Sequence, residues 1–166
     1  MHWIRSTLRR VLLSAALFLA VACAHQQGPP RPAVDEPFDA LMVLHPFAET
    51  LGASVSLAPA ETAEPLRRSS DEAAYLITLR GTSVLLLATA RCASPAEASS
   101  EFVWRSWGCS VLGSAINPTT RELIAPISLH AQILALSASQ AAQQAIEKMK
   151  VDDKTSAAIG HALRVQ

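Results

Sequence analysis

The side chains of this 166-residue chain that could do chemistry are scattered along it. Beyond the first 22 residues, histidine occurs at positions 25, 45, 130 and 161 (His25, His45, His130 and His161). No two of these have the H-x-x-x-H spacing that places two ligands on one helix face. The sequence therefore predicts no metal site, and it carries no signature of a bound cofactor.

Serine is plentiful, but a serine nucleophile on a sharp strand-to-helix turn needs glycine two residues before it and two after it. The segments 81–85 (Gly-Thr-Ser-Val-Leu) and 108–112 (Gly-Cys-Ser-Val-Leu) lack the second glycine. The adjacent pair Asp152 and Asp153 is better explained as a helix cap than as an acid/base pair. With no catalytic arrangement, a non-enzymatic role is favoured.

Two cysteines, Cys92 and Cys109, form an even pair in the body of the chain. In an exported protein such a pair predicts a disulfide rather than a reactive thiol. A bridge closing a loop of this length stabilises the fold by about 3 kcal/mol.

Trp104 and Trp107 lie three residues apart, with Arg105 between them. On a helix the two indoles would share a face. Two interpretations stay open: packing in the core beside the disulfide, or an exposed aromatic patch that binds a partner. Trp104, Arg105 and Trp107 are therefore the candidate partner-binding residues.

The start of the chain is typical of an export signal. Arg5, Arg9 and Arg10 precede an apolar run over residues 11–22, and small residues lead up to Cys23. The run has about 12 residues, whereas a membrane-spanning helix needs about 20. Residues 1–22 are therefore predicted to be a signal peptide.

Leu19-Ala20-Val21-Ala22-Cys23 resembles the lipobox of bacterial lipoproteins. The resemblance implies that Cys23 receives a diacylglycerol and becomes the lipidated (palmitate-carrying) first residue of the mature protein. Ala24 after the cysteine implies the outer membrane, facing the periplasm. Residues 20–22 and 22–24 also have the A-x-A form of an ordinary signal-peptidase site, which is the competing interpretation.

Residues 23–37 follow as a proline-rich tether, and residues 38–166 are predicted to form one globular domain. Three of the 14 basic residues belong to the signal peptide, which leaves 11 against 14 acidic ones. A net charge of about minus three does not favour nucleic acid as a partner.

Abundant alanine and sparse glycine predict a mainly α fold, a small bundle of about four to six helices with a long loop at 53–68. Capping boxes at Ser69/Glu72, Ser94/Glu97 and Thr119/Glu122 each predict a helix start. Further helices are expected from Phe38 to Gly52, through residues 138–149, and after Asp152.

The apolar residues around Arg80-Gly81 leave an alternative open, an α+β fold with a hairpin at 74–91. The sequence thus suggests a lipid-anchored envelope protein that docks on a protein partner as an accessory or scaffolding module. A periplasmic enzyme or small-molecule-binding domain, with its site near His45, His130 or the tryptophans, is the first alternative. An inhibitor of an envelope hydrolase, acting through a protruding loop at 53–68, is the second.

Overall fold

A computed structural model describes residues 34–94 and 104–165, which form an antiparallel β-sheet with helices packed on it. The prediction of a mainly α bundle is wrong. In chain order the elements are β1 (Val34–Pro37), α1 (Leu41–Thr50), β2 (Ser54–Leu57), α2 (Ala60–Ala63), β3 (Ala73–Leu79), β4 (Thr82–Ser94), β5 (Arg105–Ile116), β6 (Leu123–Ala135), α3 (Ala138–Lys148) and α4 (Asp153–Val165).

The strands are ordered β2-β3-β4-β5-β6, and each pair is antiparallel. The long strand β4 also pairs with β1, on the same side as β3. β1 reaches Pro37 opposite Arg91, while β3 begins with Ala73 opposite Ala88. A gap therefore remains beside Thr89 and Ala90.

The hairpin alternative is the correct one for residues 74–91. β3 and β4 are joined at Arg80 and Gly81, whose φ angles are 52° and 90°. Two successive residues with positive φ match the right-handed twist of a hairpin. The predicted cap at Ser69/Glu72 makes a turn instead of a helix: the Asp71 N–H donates to Ser69 Oγ (3.1 Å).

The predicted helix after Thr119 is also wrong, because residues 123–135 form β6. Its side chains alternate between buried and exposed, with Ile127, Leu129 and Ile133 buried. This period of two is the pattern of a half-buried strand. The polar residues before it close the β5–β6 turn, where Asn117 Oδ1 accepts the N–H groups of Thr119 and Thr120.

Three predicted helices are present as α1, α3 and α4. At the start of α3, the N-cap residue Ser137 accepts the Gln140 N–H through Oγ (3.2 Å). Gln140 Oε1 accepts the Leu136 N–H (3.0 Å), one residue before the N–H used in a capping box. At α4, Asp152 Oδ1 accepts the Thr155 N–H (2.9 Å). Ser94, the predicted cap of another helix, is instead the last residue of β4, and its hydroxyl donates to the Ser106 carbonyl (3.0 Å). Residues 95–103 of that predicted helix, the signal peptide and the tether up to residue 33 lie outside the described residues.

The main core lies between the sheet and the layer formed by α1, α3 and α4. It is built from the inward side chains of the strands and the apolar stripes of the helices. A smaller core lies on the opposite face of the sheet. There α2 and the residues beside it (58–66, the α2 segment) pack Ala63 and Leu66 against Leu85, Leu87 and Ile116. This segment covers only part of that face.

Two boundaries differ from the predicted ones. β1 falls inside residues 23–37, so the folded domain begins no later than Val34. Residues 53–68, expected to form a long loop, contain β2 and α2 and pack on the sheet. None of the helices within residues 34–94 and 104–165 has the length and apolarity needed to cross a membrane.

Candidate functional site

Half of one sheet face is left uncovered by the helices and by the α2 segment. It belongs to β5 and β6, whose side chains alternate between the core and this face. We call it the open face, and its members are Ser106, Ser110, Leu112, Ser128, His130, Gln132 and Leu134. Leu112 and Leu134 are 44% and 61% exposed, respectively. Leu112 is paired with Ser128 and Leu134 with Ser106, so the two leucines stand at opposite ends of the face. Exposed large apolar side chains among polar ones are typical of interaction sites.

The structure separates the two tryptophans that the sequence groups together. Trp107 is 2% exposed and donates from Nε1 to the Ala135 carbonyl (3.2 Å), whereas Trp104 is 55% exposed immediately before β5. The prediction that the two indoles share a face is wrong, because residues three apart on an extended strand point to opposite sides. Trp107 is a core residue, and Trp104 stands at the end of the open face. Arg105, between them, is partly buried.

The disulfide expected from the sequence is present between Cys92 and Cys109. These residues face each other directly across β4 and β5, and both side chains are buried on the helix side. Because β4 and β5 are antiparallel neighbours, two residues 17 apart in sequence meet across the pair. The cysteines are structural and take no part in the open face.

The histidines do not converge. His45, on α1, lies 3.5 Å from Glu49 Oε1 through Nδ1, and His161 is exposed on α4. His130 lies on the open face, on the other side of the sheet from both. His25 is outside the described residues. Within residues 34–94 and 104–165 no group of three or more metal-ligating side chains exists.

One serine and one histidine do come together on the open face. Ser128 Oγ and His130 Nε2 are 3.1 Å apart, within hydrogen-bonding distance. A nucleophilic serine needs this contact, and it also needs an acceptor that orients the other ring nitrogen. No such acceptor contacts His130 Nδ1 among the described residues, and both side chains are exposed. This pair is a surface hydrogen bond.

A charged cluster spans the gap between β1 and β3. Arg91 donates from Nη1 to Asp35 Oδ2 and from Nη2 to Asp71 Oδ2, both at 2.7 Å. The hydrogen bond and the charge of Asp35, with a smaller contribution from Asp71, raise the pKa of Arg91. The arginine ties β1 to the segment that leads into β3.

Tyr75 lies in the same gap, on the helix side of the sheet. Its hydroxyl donates to Asp39 Oδ1 (2.9 Å), which also accepts the Leu41 N–H at the start of α1 (2.9 Å). Burial, followed by the hydrogen bond and charge of Asp39, raises the pKa of Tyr75 to about 12. The hydroxyl therefore stays protonated at neutral pH and acts as a donor. Together with Arg91 it lines a cavity of about 270 Å³.

Sequence reasoning missed this cluster. Its members are Asp35, Asp39, Asp71, Tyr75 and Arg91, and its bonds join residues 20, 36 and 56 positions apart. No local pattern connects positions so distant in sequence. Only the pairing of β1 and β3 on the same side of β4 brings them together.

A second cavity, of about 240 Å³, opens between β1, α1 and α3. Phe38, Met42, Ala142 and Ile146 form much of its wall, and Glu36 stands at its edge. The cleft is mostly apolar and smaller than the usual pocket for a drug-sized ligand. Neither His45 nor His130 contributes to it. It is thus distinct from the site near the histidines that the sequence suggests.

Comparison with protein-family models, with characterised proteins and with solved structures gives no significant match.

Proposed function

We propose that this protein is an exported lipoprotein whose folded domain docks on another envelope protein through the open face. Its anchor is Cys23, acylated after removal of residues 1–22, and its place is the outer membrane on the periplasmic side. The role is that of a non-enzymatic accessory or scaffolding module. The observation that carries the docking proposal is the exposure of Trp104, Leu112 and Leu134 along one uncovered sheet surface.

The shape of the open face supports a protein as the partner. Gly108 and Ser110 leave a low strip along β5, and the longer side chains of Gln132 and His130 stand beside it on β6. A partner's side chains pack on this strip while its polar groups bond to Ser106, Ser128 or Gln132. Apolar anchors surrounded by small polar residues are the usual composition of a protein interface.

The disulfide supports the proposed compartment. Disulfides persist in oxidising surroundings such as the bacterial periplasm and are rare in the reducing cytosol. A buried cross-strand bridge between Cys92 and Cys109 is therefore what an exported domain is expected to contain.

Acylation is tested by labelling with radioactive palmitate. The wild-type chain should incorporate label and sediment with membranes, while Cys23→Ala should incorporate none. Cys92→Ala is the matched control, since it removes a cysteine of the folded domain and should leave the label in place. An unlabelled wild-type chain that starts after residue 22, 23 or 24 and stays in the soluble fraction would refute the anchor.

Docking is tested by placing a photocrosslinking amino acid at Leu112 in the full chain and irradiating intact membranes. We expect one adduct of defined mass, which Leu134→Asp should reduce at least fivefold by placing a charge on the same surface. The matched control carries the photocrosslinker at Glu147, an exposed position of α3 on the helix side. Equal adducts from both positions, or none from Leu112, would refute docking through the open face.

The inhibitor alternative needed a protruding loop at 53–68. Those residues instead pack as β2 and α2, with Ala63 fully buried. The apolar cleft between β1, α1 and α3 is an observation in favour of small-molecule binding. If that is the function, Ala142→Trp, which fills the cleft, should abolish the protein's function in cells. Leu134→Asp, on the open face, should leave that function unchanged.

A further inference from the structure

The outer side of β6 is the longest free edge of the sheet. β6 has 13 residues, and in the described part of the chain it pairs only with β5. The opposite edge, β2, has four residues. A long edge strand is a template for pairing with another chain.

The hydrogen bonds of the sheet determine which backbone groups of β6 point outward. The Phe38 N–H donates to the Ala90 carbonyl (3.0 Å), so the backbone N–H and C=O of Ala90 point towards β1 and those of Thr89 point towards β5. Thr89 is paired with Leu112, so the backbone groups of Leu112 point towards β4 and those of Val111 point towards β6. Val111 is paired with Leu129. Because backbone direction alternates along a strand, odd-numbered residues of β6 bond to β5 and even-numbered ones point outward.

Pro126 agrees with this assignment. Proline has no N–H to donate, so within a sheet it is confined to the free side of an edge strand. The Pro126 carbonyl also accepts from Thr155 Oγ1 of α4 at 3.5 Å. Beyond Pro126, the outward backbone groups belong to Ser128, His130, Gln132 and Leu134, all of which are exposed residues.

This part of the edge has none of the charged protection that free edges usually carry. Monomeric proteins place lysine, other charges, prolines or bulges along such strands. From Ile127 to Ala135 the sequence contains no lysine, arginine, aspartate or glutamate, and no proline. The irregularity in the β5–β6 register lies at Ala115/Ile116, away from this stretch.

We infer that residues 127–135 of β6 pair with the same strand of a second copy of this chain. A two-fold axis beside Ala131 sets His130 opposite Gln132 of the second copy, and Ser128 opposite Leu134. Each outward N–H then meets an outward carbonyl, in four pairs with about eight hydrogen bonds. At the axis the two copies of Ala131 meet, and their small side chains allow close approach. Neither copy of residues 127–135 contains Lys, Arg, Asp or Glu, so no like charges are brought together. A charged peptide would find no complement on this edge.

The register can be tested with a single cysteine in the full chain, expressed with its leader in a bacterial host. In the paired strands, position 132 and its copy are diagonal neighbours about 7–8 Å apart, within reach of a bis-maleimide that spans about 8 Å. Gln132→Cys should therefore give a covalent dimer. The wild-type chain, treated in the same way, measures any crosslinking through Cys23.

Ser110→Cys is the matched control, on the same face but one strand further from the axis. Position 110 and its copy are separated by three strand spacings, at least about 14 Å, so no crosslink should form. Dimers from Ser110→Cys in the same yield as from Gln132→Cys, or none from either, would contradict the edge pairing.

His130→Pro in the Gln132→Cys chain should lower the crosslinked fraction at least tenfold. It removes an outward N–H, and the N–H of residue 130 does not bond to β5. Circular dichroism checks that the variant is folded. Sedimentation of the wild-type chain needs no substitution: a dimer at high micromolar concentration supports the inference, and a monomer refutes it. The edge pairing does not depend on Cys23. It is measured by the Gln132→Cys crosslink and by sedimentation, whereas docking is measured by the Leu112 adduct with a protein other than this chain, so either proposal can fail without the other.

Discussion

Gly113 is the residue at which the sheet is most sensitive to a single methyl group. It lies on β5 directly opposite Ala88 of β4. A Cβ atom built there would collide with the Leu87 carbonyl oxygen and would lie 2.8 Å from Ala88 Cα. Both obstacles are backbone atoms of a central strand, so they cannot rotate away. Glycine is required at this position by the close approach of two strands.

We predict that Gly113→Ala destabilises the domain by about 3 kcal/mol or more, the upper end of the cost of overpacking. Gly108→Ala is the matched control on the same strand. Its added methyl meets the Gln132 amide at 3.3 Å, the end of a flexible side chain. The control should cost less than about 1 kcal/mol. Denaturant unfolding of both variants tests this, and equal losses would count against the packing described.

Tyr75 gives a second prediction, because it is the only tyrosine in the chain. Its pKa is raised from 10.0 to about 12 in the folded state. The protonated hydroxyl therefore stabilises the fold fully below pH 10, and this contribution is lost as the pH rises from 10 towards 12. Ultraviolet titration of the phenolate should give a midpoint near 12 in the folded protein and near 10 in denaturant.

Tyr75→Phe provides the control for this pH dependence. At neutral pH the variant should lose about 1 kcal/mol, the usual net value of one hydrogen bond. Between pH 10 and 12 its stability should fall less steeply than that of the wild type. Parallel curves for the two proteins would mean that Tyr75 does not donate to Asp39 in solution.

At the scale of elements, side-chain hydrogen bonds fix the start of α3. Ser137 Oγ accepts the Gln140 N–H, and Gln140 Oε1 accepts the Leu136 N–H. Ser137→Ala should therefore destabilise the domain by about 1 kcal/mol. Ser139→Ala, two residues further in the same turn, is the matched control and should change the melting temperature little. A neutral Ser137→Ala would mean that α3 is held by packing alone.

Two predicted capping boxes, at Ser69/Glu72 and Thr119/Glu122, show why such motifs mislead. Ser69 accepts the Asp71 N–H, and Asn117, just before the second box, accepts the Thr119 N–H, yet each stretch forms a turn that leads to a strand. These side chains stabilise any local backbone reversal, so a helix start requires a helical period after it. Along β6 the period was two, with Ile127, Leu129 and Ile133 inward. The alternation of these residues with Ser128, His130 and Gln132 is visible in the sequence, and it outweighs the apolar content and the preceding cap motif.

At the scale of the whole molecule, the disulfide acts on the unfolded chain. Closing a loop between two central strands restricts the unfolded ensemble and leaves the sheet contacts unchanged. Replacing both cysteines with alanine should therefore lower the free energy of unfolding by about 3 kcal/mol, with some further loss from the small cavity. Wild-type protein under a thiol reductant is the control and should lose a similar amount. No change on reduction would mean that the bridge does not form in solution.

The sequence by itself determined features that depend on short stretches: the cysteine pair and the helices α1, α3 and α4. It offered the hairpin at Arg80-Gly81 only as an alternative, and the signal peptide stays a prediction. A cap, a turn or a periodic stripe is a local property, so it can be read locally. Only the tertiary structure decided that the apolar runs are strands, that Trp104 and Trp107 part to opposite faces, and that Arg91 meets Asp35 and Asp71. Those outcomes depend on which strand pairs with which, and strand pairing joins residues whose separation in sequence carries no signal.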